Sequence, residues 1–387
     1  MRIILTGGGT GGHVYPAISI KEIIQKAYPE SDFLYLGIKD KAEEHIITSL
    51  PEDESFPIKF ITASGLPRLF SLLKILKFFI DLIKGTFQSI KLIKEFSPHL
   101  IIATGGYVTA PVLLAGALLN KKQIIHEQNS IPGLVNKFFG RFTDKIFITF
   151  PDTASYFKKG KTVDAGYPTR KCIKEKEKTE ARKGLNIPAG VKAVFVFGGS
   201  SGAKNINEAI ARNFEILLSS EHIYVIHGTG KDKKEGYRAY SETRSLLDEL
   251  YPAYPTDKRY ICRDYFYDID TIYSAADLIV CRAGAGTIME CASIGKPMIL
   301  VPKSGLPGNH QEKNAEFVKN AGGAVVVYEE KINDRTTLDD SKLAQTILDT
   351  LNDDELLDGL SKNIKSIYKN NTADIFISEI TKLLENQ

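Results

Sequence analysis

A pair of glycine-rich turns, one in each half of the sequence, constrains the fold of this chain most strongly. The first runs from Gly7 to Gly12 and the second from Gly198 to Gly202, about 190 residues later. Each follows a short apolar strand and opens a helical pattern. Each turn therefore presents the unpaired N–H groups and the positive dipole end that favour an anion. Two such turns predict two nucleotide-fold domains that face each other across a cleft.

Length and composition agree with two domains and exclude several classes of protein. The chain has 387 residues, 43% of them hydrophobic, which is enough for two cores. Its 50 basic and 47 acidic residues nearly cancel, which argues against a nucleic-acid partner. The four cysteines form no C-x-x-C pair, as is typical of a cytosolic protein. We expect no signal peptide and no transmembrane span.

Alternating strands and helices predict a parallel sheet in each half. A lysine-rich stretch, 171–183, predicts a surface connector followed by a short helix, and the tail, 338–384, is helical in pattern. Ligands of open α/β sheets bind at the carboxyl ends of the strands, where both glycine turns lie. The predicted strands are 2–6, 32–37, 57–61, 99–103, 122–126 and 145–149, then 193–197, 223–226, 259–262, 277–281, 298–301 and 324–327.

The segment 69–96 has an unusual helical pattern. Its polar residues recur every three or four positions in one narrow stripe, and nearly all other positions, including Phe70, are apolar. One interpretation is a deeply packed core helix. The other is a partly exposed apolar patch that suits an anionic membrane surface. Basic residues ring this patch, namely Arg68, Lys74, Lys77 and Lys84.

The first glycine turn also matches G-x-G-x-x-G, the dinucleotide fingerprint. That fingerprint needs an acidic residue at the end of the second strand, whereas Asp40 lies only in the loop beyond it. The hypothesis of an NAD site therefore loses support. His13 lies at the mouth of the turn, where its imidazole suits a general base. The alternative is a capping or packing histidine.

Two polar segments follow other strands of the first half. Residues 104–107 (TGGY) form a third glycine turn, and residues 126–129 (HEQN) place four polar side chains in a row after a strand. Four consecutive polar side chains are unfavourable in a hydrophobic core, so this run favours a functional site at this edge of the sheet. An ordinary polar loop is the alternative.

In the second half, residues 281–287 (CRAGAGT) follow a strand and open another helix. The hydroxyl of Thr287 and the amides that start this helix suit phosphate oxygens. Glu290, one turn into the helix, suits a ribose diol, and the alternative is an acid favoured by the helix dipole. Asp268 and Asp270 have a D-x-D spacing, but their place at a predicted helix start favours capping over metal binding.

Together these segments resemble the MurG family, the UDP-N-acetylglucosamine transferases of bacterial peptidoglycan synthesis. The resemblance implies an α/β fold of the GT-B class, with two Rossmann-like domains whose parallel sheets face each other across a cleft. The matching segments are GGGTGGHVYPA at 7–17, TGGYVTAP at 104–111, HEQNSIPGLVNK at 126–137, GYPTR at 166–170, GGSSGA at 198–203, CRAGAGTIMECASIGKP at 281–297 and HQEKNA at 310–315.

The resemblance also implies what each domain does. Residues 1–163 would bind the lipid-linked acceptor and associate with the membrane, and residues 164–387 would bind UDP-N-acetylglucosamine. In other GT-B proteins the last helix packs back on the first domain. The implied activity moves N-acetylglucosamine to the 4-hydroxyl of undecaprenyl-diphosphate-N-acetylmuramoyl-pentapeptide (lipid I), giving lipid II for cell-wall biogenesis, cell shape and cell division. An α-linked donor and a β-linked product imply direct inversion.

Site residues are carried over motif by motif. His13 is the favoured base, and Glu127 is the reserve, as base or as the group that orients it. Ser201 departs from the family, which often has Gln at this position. The implied contacts to UDP-N-acetylglucosamine are Thr10, Gly11, Gly12, Asn129, Arg170, Ser200, Phe266 (through its backbone), Ala285, Gly286, Thr287, Ile288, Met289, Glu290 and Gln311. The implied acceptor contacts are Gly9, Gly105, Gly106 and Tyr107.

The resemblance also implies binding partners, and the sequence leaves alternative functions open. No cofactor and no metal site are implied, with a divalent cation left open as an activator. The implied partners are UDP-N-acetylglucosamine, lipid I, the cytoplasmic leaflet of the cell membrane, where the protein is peripheral, and other cell-wall synthesis proteins. Three alternatives stay open: a glycolipid-making GT-B transferase that uses diacylglycerol, a non-catalytic subunit that anchors a partner transferase, and an NAD-dependent oxidoreductase.

Overall fold

A computed structural model describes residues 1–67, 72–305, 307–332 and 335–385 of the chain. The chain divides into two compact units. Unit 1 comprises Met1–Lys171 together with Lys369–Gln387, and unit 2 comprises Cys172–Tyr368. The division falls after Lys171, whereas the resemblance implied one after residue 163, and the C-terminal segment belongs to unit 1.

Each unit contains one parallel sheet. The strands of unit 1 are β1 (Arg2–Thr6), β2 (Asp32–Gly37), β3 (Ile58–Phe60), β4 (Leu100–Ala103), β5 (Lys122–Glu127), β6 (Lys145–Ile148) and β7 (Thr162–Asp164). Those of unit 2 are β8 (Lys192–Phe197), β9 (Ile223–Gly228), β10 (Tyr260–Arg263), β11 (Leu278–Cys281), β12 (Met298–Leu300) and β13 (Ala324–Val326). A separate antiparallel pair joins β14 (Glu330–Ile332) to β15 (Arg335–Thr337).

The two sheets share one topology. Their strand orders are β3-β2-β1-β4-β5-β6-β7 and β10-β9-β8-β11-β12-β13. The order therefore reverses between β1 and β4 in unit 1 and between β8 and β11 in unit 2. Ligands of open α/β sheets bind at such a switch point, outside the carboxyl ends of the strands.

Helices fill the connections between the strands. They are α1 (Gly11–Ala27), α2 (Ala42–Thr48), α3 (Leu72–Phe96), α4 (Thr109–Leu118), α5 (Leu134–Phe139), α6 (Lys178–Lys183), α7 (Lys204–Arg212), α8 (Phe214–Leu217), α9 (Ala239–Leu250), α10 (Ile269–Ala275), α11 (Ala285–Ser293), α12 (His310–Asn320), α13 (Asp340–Asn352), α14 (Asp354–Ser366) and α15 (Thr372–Glu385). Short 3₁₀ segments are Pro151–Tyr156, Tyr254–Thr256 and Pro307–Asn309.

The strands are apolar on both faces because helices cover both faces of each sheet. In β1, Ile3 and Leu5 pack with residues of α1 and α15, while Ile4 packs on the opposite side with residues of α3 and α4. The ring of Phe376 in α15 lies 4.6 Å from that of Phe147 in β6, edge to face. The C-terminal helix therefore completes the core of unit 1.

Every predicted strand is present, with ends shifted by no more than a residue or two. Three further strands were not predicted, namely β7, β14 and β15, which are three residues each and contain no apolar run. These strands exist because a neighbouring strand supplies their hydrogen bonds, and this is a contact that local sequence does not encode. The short helix predicted within 171–183 is present as α6, and the predicted helical tail beyond residue 338 is confirmed.

The amphipathic character of α3 is inverted relative to an ordinary surface helix. Its apolar side chains point to solvent, among them Leu72 (83% exposed), Leu73 (79%) and Phe87 (69%). Its buried positions are instead Asp81, Gly85, Thr86, Ser89 and Ile93. The interpretation as a deeply packed core helix is therefore wrong. Arg68 and Phe70 lie outside the described residues.

The inward face of α3 contacts the segment after β3 at Gly85 and Gln88. The backbone N–H of Thr62 donates to Oε1 of Gln88 at 2.7 Å. A Cβ at Gly85 would lie 2.0 Å from the Thr62 carbonyl oxygen, so glycine is needed for this approach. The hydrogen bond from Nζ of Lys77, at 2.7 Å, lowers the pKa of Asp81. Within the described residues, no helix is both long enough and apolar enough to cross a bilayer.

Candidate active site

Two glycine turns meet at the switch point of unit 1. Residues 7–12 follow β1 and residues 104–107 follow the adjacent β4, and the N–H of Gly8 donates to the carbonyl of Gly105 at 3.1 Å. Gly106 has a φ of 86°, and a Cβ there would lie 2.3 Å from the Gly8 carbonyl oxygen. Only glycine permits this backbone and this approach. The structure thus brings two predicted site segments into direct contact.

A buried carboxylate supports the first glycine turn, residues 7–12. The side chain of Glu43 in α2 is fully buried, and its oxygens accept N–H bonds from Gly9 at 3.0 Å and from Ile38 at 3.1 Å. A Cβ at Gly8 would lie 2.6 Å from this carboxylate. Glu43 was not among the predicted site residues, although an acid just beyond the second strand was the available signal. The amide of Gly9 is therefore occupied within the protein.

The remaining anion-binding element of this turn is the N-terminus of α1. Thr10 precedes it in extended conformation, and its first turn, from Gly11, contains no acidic residue. The Tyr15 ring packs close to Gly11, and the guanidinium of Arg170 lies 5.0 Å above that ring. Arg170, predicted as a donor contact, is thus part of unit 1 and adds positive charge near a helix N-terminus.

The ring of Tyr107 lies over the other side of the same turn, 3.7 Å from where a Cβ of Gly9 would stand. Burial, with Glu43 nearby, raises the pKa of Tyr107, so the phenol is neutral near pH 7. A neutral phenol both donates and accepts hydrogen bonds, which suits a sugar hydroxyl or a phosphate oxygen.

His13 is half-buried between the two turns. Its Nδ1 lies 2.9 Å from the carbonyl oxygen of Thr104 and 3.2 Å from Oε1 of Gln128. The hydroxyl of Thr104 in turn donates to the carbonyl of His13 at 2.6 Å. A Cβ at Gly105 would lie 3.0 Å from Nδ1, so the imidazole packs directly on the glycine turn. The predicted base is thus held in place through one ring nitrogen, Nδ1.

Glu127, the predicted reserve base, points into its own loop. The carboxylate is 1% exposed, and Oε1 accepts from the backbone N–H of Asn129 at 3.0 Å. Oε2 accepts from the N–H of Gly133 at 3.1 Å and from Nδ2 of Asn136 at 2.7 Å. These contacts give Glu127 the geometry of a brace for residues 129–136. The side chain that contacts His13 is its neighbour, Gln128.

The glycine turn of unit 2 has a similar construction. Gly202 has a φ of 71°, and a Cβ there would lie 2.2 Å from the Thr229 carbonyl oxygen at the end of β9. Ser200 is exposed, and its carbonyl accepts from the N–H of Lys231 at 3.0 Å. The turn leads into α7, whose first turn has no acidic residue. An anion is therefore favoured at this helix start.

A second helix start lies beside it, because β11 is the neighbour of β8. Gly284 precedes α11 in extended conformation, Ala285 and Gly286 open the helix, and its first turn has no acid. Arg282 is fixed just before it by an ion pair with Glu329 at 2.6 Å. The sequence analysis missed this buried pair. Two helix N-termini thus lie at adjacent strands of unit 2, which suits a diphosphate.

Other predicted donor residues lie deeper in unit 2. Glu290 is buried with its Oε2 3.5 Å from the Tyr273 hydroxyl, and Thr287 is half-buried. The side chains of Ile288, Met289 and Phe266 lie in the core, so only their backbones are able to reach a ligand. Oε1 of Gln311 accepts from the backbone N–H of Lys303 at 2.9 Å.

The predicted capping role of the D-x-D pair is wrong, because the N-cap residue of α10 makes no side-chain capping bond. Asp268 occupies the N-cap position of α10 without a side-chain capping bond, and Asp270 pairs with Lys176 at 2.8 Å. Across the parts of the chain that the structure describes, no three His, Cys, Asp or Glu side chains are grouped to hold a metal ion.

Comparisons with known proteins match both halves of the chain. Residues 3–148 match the glycosyltransferase family 28 N-terminal domain, and residues 193–375 match the glycosyltransferase family 28 C-terminal domain. Two similar relatives bear the same name, UDP-N-acetylglucosamine--N-acetylmuramyl-(pentapeptide) pyrophosphoryl-undecaprenol N-acetylglucosamine transferase. The relative from Acetivibrio thermocellus is 34% identical over 100% of this chain and 99% of its own. The relative from Alkaliphilus oremlandii is 36% identical over 100% of both.

Solved structures agree on the fold. The crystal structure of MurG from Acinetobacter baumannii has a TM-score of 0.71 and 23% identity, covering 100% of this chain and 99% of that chain. A putative UDP-N-acetylglucosamine 2-epimerase from Listeria monocytogenes has the same TM-score at 11% identity, covering 100% and 97%. Because two differently named proteins match equally well, structural likeness identifies the GT-B fold alone. The full-length sequence similarity goes further: the chain is a glycosyltransferase that belongs to the MurG family, within family 28.

Proposed function

We propose that this protein transfers N-acetylglucosamine from UDP-N-acetylglucosamine to the 4-hydroxyl of the N-acetylmuramic acid in lipid I, giving lipid II. The observation that carries the proposal is the full-length similarity to transferases of that name. The paired glycine turns at the switch points of both units support it, because a transferase of this kind handles two diphosphates.

Each unit has a proposed role. In unit 2, the starts of α7 and α11 receive the UDP diphosphate, and Glu290 accepts hydrogen bonds from the ribose. In unit 1, residues 104–107 and Gly9 contact the acceptor. The start of α1, with Arg170 and Asn129, remains the predicted contact of unit 1 to the donor.

The proposed chemistry is a single displacement. The acceptor 4-hydroxyl attacks the anomeric carbon, Nε2 of His13 takes the hydroxyl proton, and the bond from that carbon to the UDP oxygen breaks. Attack opposite the leaving group inverts the α linkage to β, as in inverting hydrolysis with a sugar hydroxyl in place of water. Oriented amides at the helix starts stabilise the charge that develops on UDP.

The test is transfer of labelled N-acetylglucosamine from its UDP donor to a short-chain lipid I analogue. We expect a product with a new β-1,4 linkage, and little product from UDP-glucose. Diacylglycerol as acceptor tests the glycolipid alternative. Product on diacylglycerol but none on the lipid I analogue would refute the proposed acceptor.

We further propose that transfer needs no resident metal, because helix N-termini and Arg170 supply the positive charge that a metal would otherwise provide. Dialysis against EDTA is therefore expected to leave kcat within about twofold, well inside the 10²–10⁴-fold range of a lost catalytic group. Titration of Mg²⁺ into the dialysed enzyme is the measurement. A loss above tenfold that Mg²⁺ restores would contradict this proposal.

The exposed apolar face of α3 is the proposed membrane contact, on the cytoplasmic leaflet where a nucleotide sugar is available. Leu76, Phe79, Ile80 and Ile83 continue the exposed face that begins at Leu72, and Lys74, Lys77 and Lys84 lie exposed beside them. An apolar stripe flanked by lysines suits the boundary of an anionic bilayer. The neighbouring α5 also exposes Leu134 and Phe138. Association with other cell-wall synthesis proteins stays a prediction of the resemblance.

Replacing Leu73, Leu76 and Phe79 together by serine should abolish most vesicle binding without damaging the fold. Each is more than half exposed, so little packing is lost. Each apolar side chain buried in a bilayer contributes about 1.5 kcal/mol or more, so we expect binding to anionic vesicles to fall at least about tenfold. Ile216→Ser in unit 2, another exposed apolar residue, is the control. Undiminished sedimentation of the triple variant with vesicles would exclude α3 as the contact.

A further inference from the structure

We propose that Gln128 is the positioning residue for His13: its amide, held in one orientation by His126, keeps the imidazole turned so that Nε2 is free to take a proton. This inference rests on the proposed function, since it assigns a task to the neighbours of the proposed base. The resemblance implied no role for Gln128 or His126. From the HEQN segment, 126–129, it implied roles for Glu127 and Asn129 only.

His126 is fully buried in β5. Its Nε2 lies 3.2 Å from the carbonyl oxygen of Gly166, and the Thr149 hydroxyl oxygen lies 3.4 Å away as a second acceptor. A carbonyl only accepts, so Nε2 carries the hydrogen. Burial lowers the pKa of His126 to about 4, so the ring is neutral near pH 7 and carries that hydrogen alone. Its Nδ1 therefore presents a lone pair.

That lone pair fixes the amide of Gln128, which is itself buried. The Gln128 Nε2 lies 3.0 Å from Nδ1 of His126 and 3.0 Å from the His126 carbonyl oxygen. Both are acceptors, so the NH₂ group belongs on this side and Oε1 on the other. The opposite orientation would set the amide oxygen against two acceptors. Oε1 accordingly faces Nδ1 of His13, at 3.2 Å.

His13 thus receives two oxygen acceptors on the same nitrogen, Oε1 of Gln128 and the Thr104 carbonyl. Nδ1 must carry a hydrogen in the neutral ring, which leaves the lone pair on Nε2. When Nε2 takes a proton, the bonds from Nδ1–H become charge-assisted and stronger. This is the arrangement of a base oriented by a third group, with an amide where other enzymes use a carboxylate.

Charged and titratable neighbours are held by other partners. The carboxylate of Glu127 is bound within residues 129–136, and that of Glu43 is bound to the amides of Gly9 and Ile38. Tyr107 lies over Gly9, and the guanidinium of Arg170 lies over Tyr15. Gln128 is therefore the side chain that sets the acceptor strength at Nδ1 of His13.

Two substitutions of Gln128 should move the pKa of His13 in opposite directions. Gln128→Met removes the acceptor, so the imidazolium is less stabilised and the acid limb of the kcat–pH profile should shift down by about half a unit to one unit. Gln128→Glu places a carboxylate there, so the limb should shift up by a similar amount. At pH 7 we expect Gln128→Met to lower kcat about tenfold with the KM for the donor unchanged.

Gln123→Met is the matched control. Gln123 is a buried glutamine of β5, the strand that Gln128 directly follows, and its amide lies against the Leu113 carbonyl at 3.1 Å and the Ala117 N–H at 2.9 Å. Loss of these bonds should lower the melting temperature without moving the acid limb. A shift common to Gln123→Met and Gln128→Met would mean general loosening and would overturn the inference.

NMR of histidine labelled with ¹⁵N gives a readout that does not depend on turnover. We expect His13 as the Nδ1–H tautomer and His126 as the Nε2–H tautomer, with the pKa of His13 lowered in Gln128→Met. The opposite tautomer at His13, or a pKa unchanged in both Gln128 variants, would overturn the inference. If Gln128→Glu does not fold, the His13 tautomer and titration measured in Gln128→Met alone test the inference. Wild-type protein that transfers no sugar would instead refute the proposed function, while the NMR result still stands.

Discussion

Replacing His13 by alanine is expected to lower kcat for sugar transfer by about 10²–10⁴-fold, the usual contribution of a general base. The affinity for UDP should change by less than about twofold, because the predicted phosphate-binding helix starts of α7 and α11 belong to unit 2. The side chain contacts the Thr104 carbonyl and Gln128, and its removal leaves the two glycine turns joined through their backbones. Steady-state kinetics together with calorimetric titration of UDP measure both quantities.

His45→Ala is the control for the loss of an imidazole from unit 1, since His45 is exposed on α2. It should leave kcat unchanged. Loss of UDP binding in His13→Ala would make His13 a donor contact, and an unchanged kcat would make it a packing histidine. Either result would remove it as the base.

The sheets were predictable from sequence because buried parallel strands are continuous apolar runs. Residues 3–5 of β1 and 193–197 of β8 have this character, and each is followed by a glycine turn that ends the strand. The strand β7 has only the sequence Thr-Val-Asp and exists through its pairing with β6. Edge strands of this kind depend on a distant partner, which local sequence does not report.

The sequence of α3 predicted a helix with two unlike faces but left open which face points inward. Periodicity measures the separation of polar and apolar residues and contains nothing about what lies opposite each face. Here the polar face packs inward because Gln88 accepts a hydrogen bond from the backbone N–H of Thr62. This contact joins two segments whose pairing no sequence pattern predicts.

The candidate site was predictable at the level of segments. Residues 7–13, 104–107 and 126–129 all lie at the carboxyl ends of neighbouring strands of one sheet, and His13 reaches both other segments. The partners within the site were not predictable. His13 and Gln128 are 115 positions apart, and no local pattern predicts that Gln128 rather than Glu127 contacts His13. Consecutive side chains of an extended segment point to opposite sides, so the fold of the sheet decides which of the two residues faces His13.

The same alternation leads to the second large effect, at Glu127. Replacing Glu127 by alanine is expected to lower the free energy of unfolding by about 3 kcal/mol, because several buried donors lose their acceptor and each unsatisfied group costs about 1–3 kcal/mol. Those donors are the N–H groups of Asn129 and Gly133 and the side-chain amide of Asn136. Urea unfolding of the variant measures the change. Glu95→Ala, at an exposed carboxylate of α3, should change stability by less than about 0.5 kcal/mol.

The substitution Glu127→Gln distinguishes a structural role of Glu127 in its loop from a role as the catalytic base. It preserves the size of the side chain and one acceptor oxygen, so the loop 129–136 should be weakened rather than lost. If Glu127 only braces the loop, kcat should fall with the acid limb of the pH profile still present, because that limb belongs to His13. If Glu127 were the base, Glu127→Gln would lose the acid limb of the pH profile. The slow turnover of His13→Ala would then still show that limb. Since both carboxylate oxygens already accept hydrogen bonds from the loop, we expect the first outcome.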